Sequence, residues 1–271
     1  MQFQAFMVDV ARLTAWLVLL CLIFVPLERC FPERPQPILR QQFAVDLAWY
    51  FGNSLVTATL LASITAALTV ALRGFVPTAL ATAVSGLPWW PRVLLILAVS
   101  EFGTYWGHRL THEIPLLWRF HAIHHSAEQV DWLTNIRGHP VDVIFTRLCG
   151  FLPLCVLGLT RPGTGSEGIT VPLIAMLTTI WGYFIHANLK WRFGWLESLI
   201  ATPAFHRWHH TSDANRDHNY ASTLPIYDRL FGTLHLPGKA WPLAYGIEGA
   251  TRSGRTRQFL APLERPDQPA Q

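Results

Sequence analysis

Charged residues are scarce in this sequence of 271 residues: Asp, Glu, Lys and Arg make up 14% of it, against about one-quarter in a typical soluble domain. That shortage argues against an ordinary soluble globular domain, and a hydrophobic share of 51% argues against a disordered chain. The charge imbalance is slight, 21 basic against 17 acidic side chains for a net +4, and gives no reason to expect a nucleic-acid partner. Cysteine is sparse as well. Cys21, Cys30, Cys149 and Cys155 form no C-x-x-C pair or zinc knuckle, and in so apolar a setting they read as free thiols acting as small hydrophobes. No HExxH signature is present, because no histidine follows Glu113 at the required distance. No repeat of fixed period appears. What the sequence holds in excess, on a mean hydropathy of +0.27, is tryptophan and histidine, 12 of each.

A spanning helix needs about 20 predominantly apolar residues. Five stretches are candidates: residues 8–27, 43–72, 93–107, 141–159 and 169–188. A four-span arrangement, with the 141–188 region partly re-entrant, keeps the same sidedness. The first stretch has no basic region before it and no small-residue cleavage site, so it reads as an anchor rather than a signal peptide, with Arg12 near enough to its end to snorkel. Asp46 and Asn53 come early in the second, which places its first turns at the interface or against neighbouring helices. The third is short unless the helix continues through His108 and His112. Residues 161–167 are expected to join the last two as an antiparallel hairpin. Arg29, Arg34, Arg40, Arg109, Arg119 and Arg137 fall on one side together with everything after Lys190, so that side is expected to be cytoplasmic and the N-terminus outside. Trp89-Trp90 and the run Lys190-Trp191-Arg192-Phe193-Gly194-Trp195 mark the two interfaces. The expected architecture is all-α. Residues 1–92 form transmembrane anchor helices, 93–237 a catalytic region whose helical cap carries the histidines, and 238–271 a polar tail.

Eight of the 12 histidines lie in three boxes: His108-Arg-Leu-Thr-His112, His121-Ala-Ile-His124-His125 and His206-Arg-Trp-His209-His210. On a helix, positions i, i+3 and i+4 crowd one face, so each box is expected to aim its rings at a common point. So many polar rings at the edge of hydrocarbon are costly without a shared purpose. Imidazole suits iron, zinc, copper and nickel, and eight ligands exceed what one ion takes, so two ions are the expected count. His186, at the end of the last apolar stretch, is a ninth candidate ligand. His139, before Pro140 at a helix start, together with Glu101 and Asn188, is assigned to the surroundings of the metals, supporting ligands or facing substrate. His218 and His235 lie in polar loop sequence and read as incidental. A zinc hydrolase keeps about three protein ligands and an open position, far fewer than here. Soluble di-iron bundles rely on carboxylates, whereas these ligands are nearly all neutral.

At these residues the sequence resembles the membrane-bound fatty acid hydroxylase and sterol desaturase superfamily. The likeness covers about residues 93–237. It runs through His108-Arg-Leu-Thr-His112-Glu113, Leu117-Trp118-Arg119-Phe120-His121-Ala-Ile-His124-His125-Ser126, Arg137-Gly-His139-Pro140, Phe184-Ile-His186-Ala-Asn188 and Thr202-Pro203-Ala-Phe-His206-Arg-Trp-His209-His210. It closes on Asn219-Tyr220 and Tyr227-Asp228-Arg229-Leu230-Phe231-Gly232-Thr233. Ala221 stands where the family commonly has Gly, and Tyr227 where it commonly has Trp. The resemblance implies a helical membrane enzyme with two iron ions, exchangeable for zinc on purification, held on the cytoplasmic side by the box histidines and activating O2. Such enzymes hydroxylate, desaturate or cleave alkyl positions of lipids. The sequence leaves fatty acyl, sterol and ether-lipid substrates open.

The chain shows no electron source of its own. Gly163-Thr-Gly165-Ser-Glu-Gly168 spells G-x-G-x-x-G, but no strand precedes it and it lies between two spans, so it reads as a turn. No glycines follow His139-Pro140 as a cytochrome b5 haem motif would require. A separate donor is expected, of the cytochrome b5, ferredoxin or rubredoxin type, with its reductase. The leading expectation is a lipid hydroxylase, with a desaturase as the alternative within the same chemistry. A histidine-rich metal transporter is the alternative from another class, disfavoured because transporters bind near the bilayer midplane and these ligands gather at helix ends. A catalytically dead scaffold fits poorly with complete boxes. The absence of a retention signal at the C-terminal end leans toward a bacterial inner membrane.

Overall fold

The computed structural model of the chain describes residues 2–160, 169–247 and 262, and among them every regular element is helical. Among the described residues nine α-helices follow one another: α1 (Gln2–Cys30), α2 (Phe43–Leu72), α3 (Thr78–Ser85), α4 (Trp89–Glu113), α5 (Pro115–His125), α6 (Pro140–Val156), α7 (Thr170–His186), α8 (Pro203–His209) and α9 (Ile226–Leu230), with short 3-10 turns between them. The G-x-G-x-x-G segment, the 161–167 connection and most of the polar tail lie outside the described residues.

Two stretches, Phe3–Cys30 and Phe43–Phe75, are long and apolar enough to cross a membrane, with mean hydropathy 2.3 and 2.1. Their apolar windows are only 11% and 6% buried, and Leu22, Val70 and Phe75 are among the side chains left open. A core helix of a soluble protein would be covered; these two require an apolar solvent. The five expected spans therefore reduce to two on length and apolarity alone. α7 is apolar but 17 residues long, and α4 reaches 25 residues only by including Arg92, Glu101 and its histidines. The expected continuation of the third stretch through His108 and His112 is what α4 does.

Proline sets several of the turns. The residue before proline is pushed toward extended backbone: Ile114, at φ −97° and ψ 114°, ends α4, and Pro115 restarts the chain as α5. The box at the end of α4 is thereby brought back to face the box at the end of α5. Pro140 and Pro203 open α6 and α8, where a missing N–H costs nothing. His139 caps α6, accepting from the Val141 N–H at 3.2 Å, and the Thr202 hydroxyl accepts from the Phe205 N–H to cap α8.

α4 is the central helix and packs closely on α6. The approach is closest at Gly103 and Gly150. A Cβ at Gly103 would lie 2.1 Å from the Cys149 carbonyl oxygen, and one at Gly150 would lie 2.5 Å from Thr104 Oγ1. Small residues at a crossing allow backbones to touch, the usual means of packing helices in lipid. α7 also packs on α4 and on the turn Trp132–Ile136, sharing with α1 a core of Leu20, Phe24, Trp132, Leu133 and Tyr183. This core seats the C-terminal end of α7, and with it His186.

Asp46 and Asn53 are buried against protein rather than lying at an interface. Asp46 pairs with Arg137 and Arg40, and Asn53 donates to the carbonyls of Ile136 and Gly138. The first turns of α2 thus serve as an anchor for the segment before α6.

Candidate metal centre

The eight box histidines and His186 all converge, and they form two groups. His108 and His112 from α4, His121 and His125 from α5, and His209 from α8 make one. His124 from α5, His186 from α7, His206 from α8 and His210 just after it make the other. Within each group the ligand atoms lie within 4.8 Å of one another. The boxes do not correspond to the groups, which corrects the expectation that each box aims at one point. In both H-x-x-H-H boxes the first and last histidines share a group and the middle one joins the other. Helix geometry supplies the reason. Position i+4 lies about 40° round the helix from i, while i+3 lies about 60° round in the opposite sense. One helix therefore feeds two adjacent points. The groups touch: the ring centroids of His125 and His210 are 4.7 Å apart and those of His206 and His209 are 5.2 Å apart.

Six of the nine histidines have the outward ring nitrogen held by an acceptor, while Nδ1 of His125, His206 and His210 is buried without a hydrogen-bond partner. Nδ1 of His108 donates to the Tyr220 carbonyl (2.7 Å), that of His124 to the Arg137 carbonyl (2.9 Å), that of His186 to the Gly182 carbonyl (2.7 Å) and that of His209 to the His218 carbonyl (2.9 Å). His121 Nδ1 lies 3.1 Å from both oxygens of Asp142, and His112 Nδ1 lies 3.0 Å from Asp217. A proton committed at Nδ1 leaves Nε2 as a bare lone pair. In one group Nε2 of His108 lies 3.2 Å from Nε2 of His121, and in the other Nε2 of His124 lies 3.2 Å from Nε2 of His186. Lone pairs set face to face repel unless a cation joins them. Separations of 3.0–3.2 Å among His186, His206 and His210 match two nitrogens that each lie about 2.1 Å from one ion. Nε2 of His112 and of His209 are buried without a hydrogen-bond partner. The donor set thus fits two imidazole-bound metal ions.

Electrostatics agree. Burial first, and then the neighbouring histidines, hold His124, His125, His206, His209 and His210 well below the ordinary value near 6.5. They are neutral at pH 7, as ligation requires. In metal-free protein the unfolded chain takes up protons as pH falls through about 6.5, while the folded imidazoles stay neutral. The unfolded state then binds more protons, so stability is present above that pH and is lost below it. Thermal unfolding of metal-free protein in detergent micelles is expected to shift steadily downward from pH 7 to pH 5, the loss approaching about 1.4 kcal/mol per histidine per pH unit.

The surrounding residues work at one remove. Glu101, buried at 3% exposure, accepts from the Ser222 hydroxyl and from the Thr223 and Leu224 N–H groups. Asp228 accepts from the N–H groups of Tyr220 and Ala221 and from the Thr233 hydroxyl. Together they fix the 220–224 segment whose first carbonyl orients His108. Burial pushes the Asp228 carboxyl up to about 6. Asn188 joins Arg34 to Arg207, and Arg207 locks α8 through Glu33 and Tyr245. His139 belongs to neither histidine group; its Nδ1 is engaged as the cap of α6, whose first turn carries Asp142. The side chains of His218 and His235 also stand outside the groups, though the His218 backbone carbonyl holds His209. Tyr227 donates to the Ala98 carbonyl at 2.7 Å, so this departure from the family pattern is spent on packing α9 against α4.

Sequence reasoning missed Asp142, Asp217 and Trp118. An acid in the first turn of an otherwise apolar helix was the available signal for Asp142. Asp142→Asn removes the charge behind His121 and is expected to weaken metal binding by about 10- to 100-fold, measured by chelator competition. Trp118 is half-buried, its ring centroid 5.1 Å from that of His112 and 5.5 Å from that of His125, and the Arg216 guanidinium lies 5.0 Å over it. These two side chains cover the five-histidine group on its outer side.

Residues 93–233, just over half of the chain, match the family model described as fatty acid hydroxylase. Among curated proteins, the ornithine lipid hydroxylase OlsE of Rhizobium tropici is 38% identical over 181 residues, covering 65% of this chain and 52% of that protein. The alkylglycerol monooxygenase of Xenopus tropicalis is 34% identical over 59% of this chain and 34% of its own length. The very-long-chain aldehyde decarbonylase GL1-11 of Oryza sativa subsp. indica is 30% identical, over 54% of this chain and 55% of its own. The matched region spans about a third to just over half of these relatives. No solved structure gives a significant match.

Proposed function

The chain belongs to the fatty acid hydroxylase family, and from that premise we propose that it is a membrane oxygenase that inserts one oxygen atom from O2 into an alkyl position of a lipid. The observation that carries the reading is the pair of histidine groups, each holding two Nε2 lone pairs face to face at 3.2 Å. His108, His112, His121, His125 and His209 would hold one iron ion and His124, His186, His206 and His210 the other. Two irons so held would supply an oxidant for an inert C–H bond, which no side chain can supply. The balance is one substrate C–H, one O2, two electrons and two protons giving one C–OH and one water. The electrons come from an external one-electron carrier protein of the cytochrome b5, ferredoxin or rubredoxin class and its reductase.

The chain's own part is to position and to exclude. The six histidines whose Nδ1 is fixed by an acceptor are already oriented to bind metal. Trp118 and Arg216 shield the outer side from bulk water. Residues 1–92 anchor the catalytic region, 93–237, with four or five spans in all. In this reading the N-terminus is outside, while the histidines and the 238–271 tail lie on the cytoplasmic face of a bacterial inner membrane. Relatives named for ornithine lipid and alkylglycerol favour a lipid with a polar headgroup as substrate.

The test is metal analysis together with product analysis under 18O2. Two irons per chain and a lipid product heavier by one labelled oxygen are expected. One ion or fewer per chain, or two ions with no O2 uptake from any donor, overturns the reading. A product lighter by two hydrogens would make it a desaturase.

A further inference from the structure

At the C-terminal end of α1 the chain forms an open surface cleft of about 480 Å³, whose walls include Glu28, Arg29 and Gln36. A smaller recess of about 50 Å³ shares those three residues and runs on past Val25 and Cys21. Neither reaches the metal-ligating histidines. Glu28 and Arg29 stand in the last turn of an apolar candidate span, which is where a bilayer presents its headgroups.

The polar groups of the cleft are of complementary kinds. Glu28 Oε1 is committed to the backbone N–H groups of Trp132 (2.9 Å) and Asn188 (2.7 Å), which leaves Oε2 for the cleft. Arg29 spends Nη1 on the Gln36 carbonyl at 3.2 Å, which leaves the rest of the guanidinium fork for an anion. Pro32, Pro35 and Pro37 form much of the remaining wall. Proline has no N–H, so its backbone can only accept. The cleft therefore offers a carboxylate and acceptor-only backbone to a cation, with a guanidinium beside them for an anion. The recess along Val25 and Cys21 has room only for the first carbons of a lipid tail, and the rest of the tail would lie along the exposed apolar side of α1, where Leu22 and Ile23 are open. The carboxylate is no ligand of the metal centre: one oxygen holds two backbone N–H groups and the other faces the cleft.

We propose that this cleft is a headgroup site for a zwitterionic lipid bearing a primary amine, the ammonium on Glu28 and the phosphate or carboxylate on Arg29. The site rests on the lipid-oxygenase reading only for what becomes of the lipid. Glu28 is bonded to the backbone two residues beyond His186, so the headgroup is tied to the segment that carries the four-histidine group.

The experiment counts bound lipid by native mass spectrometry on the full chain in detergent micelles. The probes are phosphatidylethanolamine, phosphatidylglycerol and a phosphate-free ornithine lipid. The two amine lipids are expected to bind about tenfold more tightly than phosphatidylglycerol. Glu28→Gln keeps an oxygen for the two backbone N–H groups and is expected to bring the amine lipids down to the level of phosphatidylglycerol. Arg29→Gln is expected to weaken all three by a common factor of about ten. If only one amine lipid binds tightly, the anion that Arg29 reads is identified as phosphate or as carboxylate. No amine preference in the parent chain, or a preference unchanged by Glu28→Gln, overturns the site; so does phosphatidylethanolamine binding untouched by Arg29→Gln. The readout needs no iron, electrons or turnover. Selective binding without hydroxylation would count against the oxygenase reading alone, and hydroxylation without headgroup selectivity against this site alone.

Discussion

His209→Ala and His210→Ala, adjacent in sequence, are expected to remove different metal ions. His209 belongs to the five-histidine group and His210 to the four-histidine group. Each variant is expected to fall from two ions per chain toward one, and each to lose at least about a thousandfold in turnover, because the chemistry is the cofactor's and depends on its ligand shell. The ions lost should differ in their surroundings. Nδ1 of His209 is fixed by the His218 carbonyl at 2.9 Å, whereas Nδ1 of His210 is buried without a partner. With cobalt in place of iron, the two variants should therefore show different residual absorption spectra, each accounting for part of the parent spectrum. Identical residual spectra would mean that the two groups act as one site, and the partition described here would be wrong. A single-site enzyme carrying surplus histidines predicts instead that one of the two variants is silent.

That partition marks the boundary of what could be read from residue order. Spacing picked out eight histidines because i, i+3 and i+4 crowd one helical face, the end of the last apolar stretch added His186, and all nine converge. Which histidine joins which group depends on how α4, α5, α7 and α8 meet, and spacing within one helix carries no such information. The same boundary separates Glu101 from its role. An acid inside an apolar helix signalled importance, but its partners at Ser222, Thr223 and Leu224 are more than a hundred residues away in sequence. The Tyr220 and Arg137 carbonyls were hidden for a different reason, since a backbone acceptor has no residue type to betray it. The helices were more legible than the spans. The stretch 43–72 is α2 as observed, because a long apolar run has few ways to bury its backbone polar groups. Residues 93–107 were expected to span and do form a helix, but α4 includes Arg92, Glu101 and its histidines and is not among the two stretches long and apolar enough to cross a membrane.

Asp46→Ala is expected to be the most destabilising single change outside the histidines. Arg40, Asp46, Asp131 and Arg137 form a buried cluster of two cations and two anions, with no side chain more than 7% exposed. Asp46 bridges both guanidinium groups, at 2.7 Å from Arg40 and 2.5 Å from Arg137. Asp131 holds Arg40 alone, through two bonds of 2.6 Å. Removing Asp46 leaves Arg137 with only the neutral Gln42 and Ser126 side chains as partners, and an uncompensated buried charge costs about 3–5 kcal/mol. The damage should also reach the metal centre. The Arg137 carbonyl accepts from His124 Nδ1, so a displaced Arg137 frees His124 to rotate, and the four-histidine group should lose its ion before the five-histidine group does. The cluster's contribution to stability is then separable from its contribution to positioning. Exchanging Asp46 and Arg137 together for Leu and Met removes both charges of the pair, and the double variant should recover much of the lost thermal stability in detergent micelles, since a buried pair is often no better than its apolar replacement. Metal affinity at the four-histidine group should stay low in the double variant, because an apolar residue 137 keeps its carbonyl but loses the tether that aims it. If metal affinity returned together with stability, the cluster would be holding the fold alone, and the orientation of His124 would have to come from the packing of α5 itself.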